Sequence, residues 1–237
     1  MKLINKILLL AKNLFFPAAC ALCETELIEL NEIQYGLCCN CASSAVPSNG
    51  EKCTVCGKPL ISEIGTCLPC RNNPNHSFDR LWVLFPYTGR YRKLLTAYKF
   101  HKNLSLAEFF AEKIEQILVN EPLLADSAIV PVPPRPGKIK HSGWDQVEHL
   151  VKKVKKRLVG RSVSRCLKRS KSRVQKSLTR TERLDNLKGR ITAAANVPQN
   201  AVIIDDVMTT GSTMEICAQA LKNSGAKRVY GICLFYD

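Results

Sequence analysis

The chain has 237 residues, 46% of them apolar, which is long for one small domain and enough for a packed core with an appendage. No stretch approaches the roughly 20 apolar residues needed to cross a bilayer, so a membrane span is excluded. The formal net charge of +15 favours polyanionic partners, meaning nucleic acid, pyrophosphate or an anionic surface.

Met1 to Phe16 combines early lysines with an Ile-Leu-Leu-Leu run. Because Lys12 and Asn13 interrupt the run, residues 1–19 read as an amphipathic helix packed on the protein. An export signal ending at Cys20 is the alternative.

Residues 20–72 read as a metal domain. Eight of the 12 cysteines form four C-x-x-C pairs: Cys20/Cys23, Cys38/Cys41, Cys53/Cys56 and Cys67/Cys70. Each pair puts two sulfurs on one tight turn, and two turns complete a tetrahedral sulfur site. The simplest assignment is sequential, with Cys20, Cys23, Cys38 and Cys41 at one Zn2+ and Cys53, Cys56, Cys67 and Cys70 at the next. Cys39 is then the spare, and interleaved pairing fits the spacing too. Four thiolates leave no open position for substrate, so the zinc is structural. A disulfide framework would need an oxidising compartment, whereas thiolate zinc fits the cytoplasm.

Asn72 to Asp79 is a polar, turn-prone linker, and a third unit spans 80–237. Leu81 to Pro86 reads as a strand, and Arg90 to Phe100 as a helix with Tyr91, Leu94, Leu95 and Tyr98 inward. Ser105 with Glu108 reads as a capping box for the next helix, which runs to about Val119. Ala128 to Val132 is a strand ending in a rigid Pro-rich loop at Arg135. After Gly143-Trp144-Asp145-Gln146 comes a helix with Val147, Leu150, Val151, Val154 and Leu158 inward and Lys152, Lys153, Lys155, Lys156 and Arg157 mostly outward. Residues 161–190 read as a mobile basic loop passing into a short helix.

The charge lies in this region. Residues 135–190 hold 19 Lys/Arg and 4 Asp/Glu, a net of +15, and the remainder balances at 16 of each sign. The block reads as a binding surface for a flexible phosphate backbone, with Lys152, Lys153, Lys155, Lys156, Arg180 and Arg183 as candidate contacts. A solvated helix face is the plainer alternative.

Ala201 to Ile204 is a charge-free, β-branched run of the kind buried on both faces of a parallel sheet. Asp205 and Asp206 follow, then Thr209, Thr210, Gly211, Ser212 and Thr213, and a helix that Gly225 ends. Adjacent carboxylates accept bonds from sugar hydroxyls or hold a divalent metal through water. The glycine-containing turn at a helix N-terminus cradles phosphate. A sugar phosphate satisfies both. Arg228 to Phe235 is the final strand.

VIIDDVMTTGST resembles the phosphoribosyl-pyrophosphate (PRPP) loop of type I phosphoribosyltransferases. The resemblance implies that Asp205 and Asp206 hold the ribose hydroxyls, with Mg2+, and that Thr209 to Thr213 wrap the 5′-phosphate. It implies an α/β fold, a parallel sheet flanked by helices, behind the small N-terminal Cys-rich zinc domain. Lys99 and Arg135 are then candidate pyrophosphate contacts.

The order of parts is similar to the ComF family of competence proteins. Cysteine pairs precede Phe78-Asp79-Arg80, Tyr87-Thr88-Gly89, Tyr98-Lys99-Phe100, Pro131-Val132-Pro133, Gly143-Trp144-Asp145-Gln146, a Gln175…Leu178…Arg180…Arg183…Asn186 run and the PRPP loop. Trp144 and Asp145 depart from the family's usual G-F-N-Q. This resemblance implies a role in natural transformation, with single-stranded DNA, an uptake helicase and recombination proteins as partners. Only a helix and a strand follow the loop in this sequence, so a C-terminal hood for an acceptor base is not expected. Two expectations result: a protein that binds PRPP and DNA, with or without transfer to an acceptor, or a phosphoribosyltransferase of nucleotide metabolism with no DNA role.

Overall fold

The computed structural model describes residues 10–11, 13–47, 50–170 and 190–237. Short helices α1 (Leu30–Tyr35), α2 (Cys39–Ser44) and α3 (Leu68–Asn72) belong to the cysteine-rich part. Then follow β1 (Arg80–Pro86), α4 (Gly89–Lys99), α5 (Leu106–Asn120), β2 (Ala128–Pro131), α6 (Lys138–Ser142) and α7 (Gln146–Arg157). The chain continues through β3 (Leu167–Arg169), β4 (Ile191–Ala193), β5 (Asn200–Met208), α8 (Ser212–Asn223) and β6 (Arg228–Tyr236).

The central sheet is all parallel, in the order β1-β6-β5-β2. Its strands are apolar without interruption because both faces are covered. Alternation still sorts the side chains. Trp82, Leu84, Val202, Ile204, Ile232 and Leu234 pack with α4, α5 and α7 on one face. Leu81, Val83, Ala201, Ile203, Val229 and Cys233 pack with α8 and the antiparallel β3–β4 pair on the other. That pair was not evident in the sequence, and the short helix expected before Arg190 lies outside the described residues.

The cysteine-rich part straddles the sheet at its β1 end. Cys20, Leu27, Ile33 and Leu37 share the first core, and Cys53, Cys56, Cys67 and Cys70 share the second. Val55 continues the sheet edge by accepting from the Leu81 N–H at 2.8 Å. Gly57 makes this approach possible. A Cβ there would lie 2.5 Å from the Leu81 carbonyl oxygen, and its φ of +72° is itself a glycine conformation.

Two local expectations are corrected. Ser105 precedes the helix with backbone angles that are already helical, and its side chain makes no capping bond. Glu108 instead pairs with Lys153 at 2.7 Å, because α7 sets lysine and arginine against this face of α5. The end of the N-terminal helix is also not packed on the protein. Residues 13–15 are helical, yet Leu14, Phe15 and Phe16 are 74–79% exposed. Asn13 ties the segment down instead, donating to the Leu27 carbonyl and accepting from the Ala18 N–H. Residues 1–9 of that expected helix lie outside the described residues.

Candidate functional site

The eight paired cysteines form two clusters in sequential order, Cys20/Cys23/Cys38/Cys41 and Cys53/Cys56/Cys67/Cys70, each with its sulfurs within 4.8 Å of one another. The interleaved pairing is therefore not adopted. The two are built alike. A tight turn carries the first pair, closed by Glu24 N–H to the Cys20 carbonyl or Gly57 N–H to the Cys53 carbonyl. The second pair opens a short helix, with Cys38 or Cys67 as its first flanking residue. Cys23 and Cys38 sulfurs are 3.6 Å apart, as are those of Cys56 and Cys67. That is far beyond a disulfide's ~2.05 Å and close to the ~3.8 Å edge of a tetrahedron of thiolates around zinc. The donor sets fit structural Zn2+. Cys39 stays out, its N–H donating to Glu32.

Asp205 and Asp206 end the buried part of β5, each 7% exposed. Such burial demands compensation. Lys99, the last residue of α4, places Nζ 2.9 Å from Asp206 Oδ2. Gln146, the first residue of α7, donates Nε2 to the same oxygen at 2.6 Å. Burial opposes ionisation of Asp206, but Lys99 and Gln146 hold its pKa below the usual carboxylate value. Asp205 differs: burial, and then the charge of Asp206, push it well above. Two neighbouring carboxylates are thus split, one a stable anion and one inclined to keep its proton.

Gln146 is aimed by its surroundings. Asp145 caps α7, accepting from the Val147 and Glu148 N–H groups at 3.0 Å. Lys138 donates to both Asp145 and Gln146, and Tyr98 donates to the Gln146 carbonyl at 2.7 Å. The Gly143-Trp144-Asp145-Gln146 motif is therefore the cap and first turn of a helix, delivering one amide to the acid pair.

Thr209 to Thr213 line a small recess together with Asp205, at the N-terminus of the 12-residue α8. Gly211 is the N-cap at φ +78°, and the space its Cβ would fill is open. Thr210 and Ser212 hydroxyls lie 2.7 Å apart. The second cysteine cluster reaches this turn, since Lys58 donates to the carbonyl of Thr209 at 3.4 Å and to that of Asp237.

Arg135 is exposed after β2. Arg169, at the end of β3, carries no local signal in the sequence. Burial, then the neighbouring charge of Arg135, lower its pKa, while Asp205 pulls the other way. Arg169, Arg135 and Asp205 thus share one neighbourhood, and only the β3–β4 pairing reveals it. Of the candidate DNA contacts, Lys152, Lys155 and Lys156 are exposed, whereas Lys153 is engaged by Glu108. Arg180 and Arg183 lie outside the described residues. Among the described residues, no helix is long and apolar enough to cross a membrane.

A family model described as a double zinc ribbon domain matches residues 11–71, and one described as a phosphoribosyl transferase domain matches residues 146–237. The chain is 28% identical to competence protein ComFC of Streptococcus pneumoniae, over 81% of its own length and 84% of the relative's. It is 24% identical to competence protein F of Haemophilus influenzae, over 91% and 95%. It is 28% identical to DNA utilization protein YhgH of Escherichia coli, over 92% and 96%.

Proposed function

Because this chain belongs to the ComF family of competence proteins, a double zinc ribbon joined to a phosphoribosyl transferase domain, we propose that it binds PRPP with Mg2+ and handles single-stranded DNA in natural transformation. The observation that carries the reading is the succession in one turn of a buried, charge-split acid pair and a glycine-led helix N-terminus. Asp205 and Asp206 take the ribose hydroxyls and, through water, the metal. The N–H groups and hydroxyls of Thr209 to Thr213 take the 5′-phosphate. Lys99 and Arg135, with Arg169 added, face the pyrophosphate and balance its charge.

Lys152, Lys155 and Lys156 supply a salt-sensitive track for the DNA backbone. An uptake helicase and recombination proteins are the partners this role implies. Thiolate zinc sites persist best in a reducing compartment, which supports a cytoplasmic location. The test is isotope-labelled PRPP incubated with candidate acceptors and scored for pyrophosphate release, beside anisotropy with a labelled oligonucleotide. PRPP binding and salt-sensitive DNA binding are expected. Pyrophosphate release without DNA binding would instead make this a phosphoribosyltransferase of nucleotide metabolism, and failure to bind PRPP would overturn the site.

A further inference from the structure

β1 is an edge strand of the sheet, and its outer side is only partly closed. At its start the Leu81 N–H is taken by Val55 of the second zinc ribbon. At its end the alternation shifts, since the Tyr87 N–H bonds the Tyr236 carbonyl of β6, and Pro86, which then faces outward, has no N–H to offer. The rung between them is Val83. N–H and C=O groups alternate in direction along a strand, so those of Val83 point the same way as the Leu81 N–H, away from β6. No described residue pairs with the Val83 main chain on that side.

That side opens on a cavity of about 280 Å³, distinct from the turn after Asp205. Its floor is β1 from Arg80 to Leu84, and its walls are the second ribbon at Lys52 and Gly57 and helix α5 at Lys113 and Gln116. Three cations line it, Lys52, Arg80 and Lys113, against one carboxylate, Glu121. The Arg80 guanidinium stacks 4.9 Å over Trp82, and its buried Nε has no hydrogen-bond partner. Edge strands are ordinarily blunted along their length. Here both ends are blunted, and the middle is left open inside a walled, basic groove.

We propose that this groove docks an extended, acidic segment of a partner protein as an added strand beside β1. The backbone of the segment pairs with the N–H and C=O of Val83, the mode of recognition in which main-chain bonds give affinity and side-chain pockets give selectivity. Residues two apart in a strand share a face, so carboxylates at alternate positions of the segment meet Arg80 and the two lysines together. The inference is independent of the PRPP reading, since it uses none of the same residues.

The test uses the zinc-loaded full chain and a labelled hexapeptide alternating glutamate and valine. Controls are its lysine–valine counterpart, versions N-methylated on one or the other edge, and an oligothymidylate. The acidic peptide is expected to bind and to slow hydrogen exchange of the Val83 amide about tenfold or more. Methylation on one edge alone should abolish binding. Lys113→Glu should weaken it about tenfold. Val83→Pro should remove it while keeping the fold by circular dichroism, because that N–H is not used by β6. The proposal is overturned if the acidic peptide does not bind, if the lysine–valine peptide binds equally, or if both methylated versions bind as well as the parent. Protection of Val83 by oligothymidylate instead of peptide would assign the groove to nucleic acid and equally overturn it.

Discussion

Lys99 Nζ lies 2.9 Å from Asp206 Oδ2, and Gln146 donates to that same oxygen at 2.6 Å. One carboxylate oxygen thereby joins the end of α4, the start of α7 and the tip of β5. Lys99 thereby supplies the counter-charge that the buried Asp206 needs.

Lys99→Met should leave Asp206 buried with its amide partner but no counter-charge. The expected cost is about 1–3 kcal/mol, kept low because Lys99 is partly solvated. The pKa of Asp206 should rise toward or above the ordinary carboxylate value. Urea unfolding across pH measures both; unchanged stability and pH profile would show the pair to be incidental.

Asp205 and Asp206 respond to pH with opposite signs. The lowered pKa of Asp206 contributes stability above the unfolded-state carboxylate value, and this is lost as pH falls through the folded value. The raised pKa of Asp205 favours the folded state below the unfolded value, and that contribution is lost as pH rises through the folded one. Asp205→Asn should therefore stabilise the free protein at neutral pH, by about 1–2 kcal/mol, while weakening PRPP–Mg2+ binding. In the wild type, binding should strengthen with pH and release a proton. Calorimetry in two buffers of different ionisation enthalpy reads the proton directly.

Zinc content should be about two ions per chain. The sites should differ in lability, since Cys23 is exposed whereas all four cysteines of the second cluster are buried. A chelator should empty the first site sooner, seen as a biphasic release with a zinc dye. Cys56→Ser should damage more than the ribbon, because its neighbours brace β1 and the turn at Thr209.

Gly57→Ala should destabilise by about 2–4 kcal/mol, from a left-handed backbone and a collision with main chain that cannot swing aside. Thermal melting of the zinc-loaded protein checks this, and a loss below ~0.5 kcal/mol would mean that the ribbon shifts freely on β1.

Reversing Lys152, Lys155 and Lys156 to Glu should lower affinity for single-stranded DNA and flatten the slope of log K against log salt. Lys153 is best left intact, because reversing it sets two carboxylates together at Glu108 and destabilises the α5–α7 contact. Anisotropy across a salt series is the measurement.

The sheet strands and the turn after Asp206 were legible because their signals are local: apolar runs, paired acids, glycine and hydroxyls in register. The zinc ligands were legible from spacing, although only the fold chooses between the pairings. Arg169 and Lys58 were not, since Arg169 comes near Asp205, and Lys58 reaches the Thr209 carbonyl, only through tertiary contacts far apart in sequence. The capping box failed at Ser105 because local propensity for Glu108 lost to cations on another helix. Gln146 is visible in the sequence as part of a motif, but its aim at Asp206 depends on the packing of α7 against β5.

The first strand and the last are neighbours, and the last, β6, sits inside the sheet. On the ribosome, β1 therefore emerges with nothing to pair with until nearly all of the chain has been synthesised, an interval on the order of ten seconds. Throughout it the cysteine pairs, made first, lack the floor on which they finally rest. A nascent chain halted before Arg228 should thus be a client for chaperones and for oxidation, and the yield of sound protein should depend on how early zinc is captured.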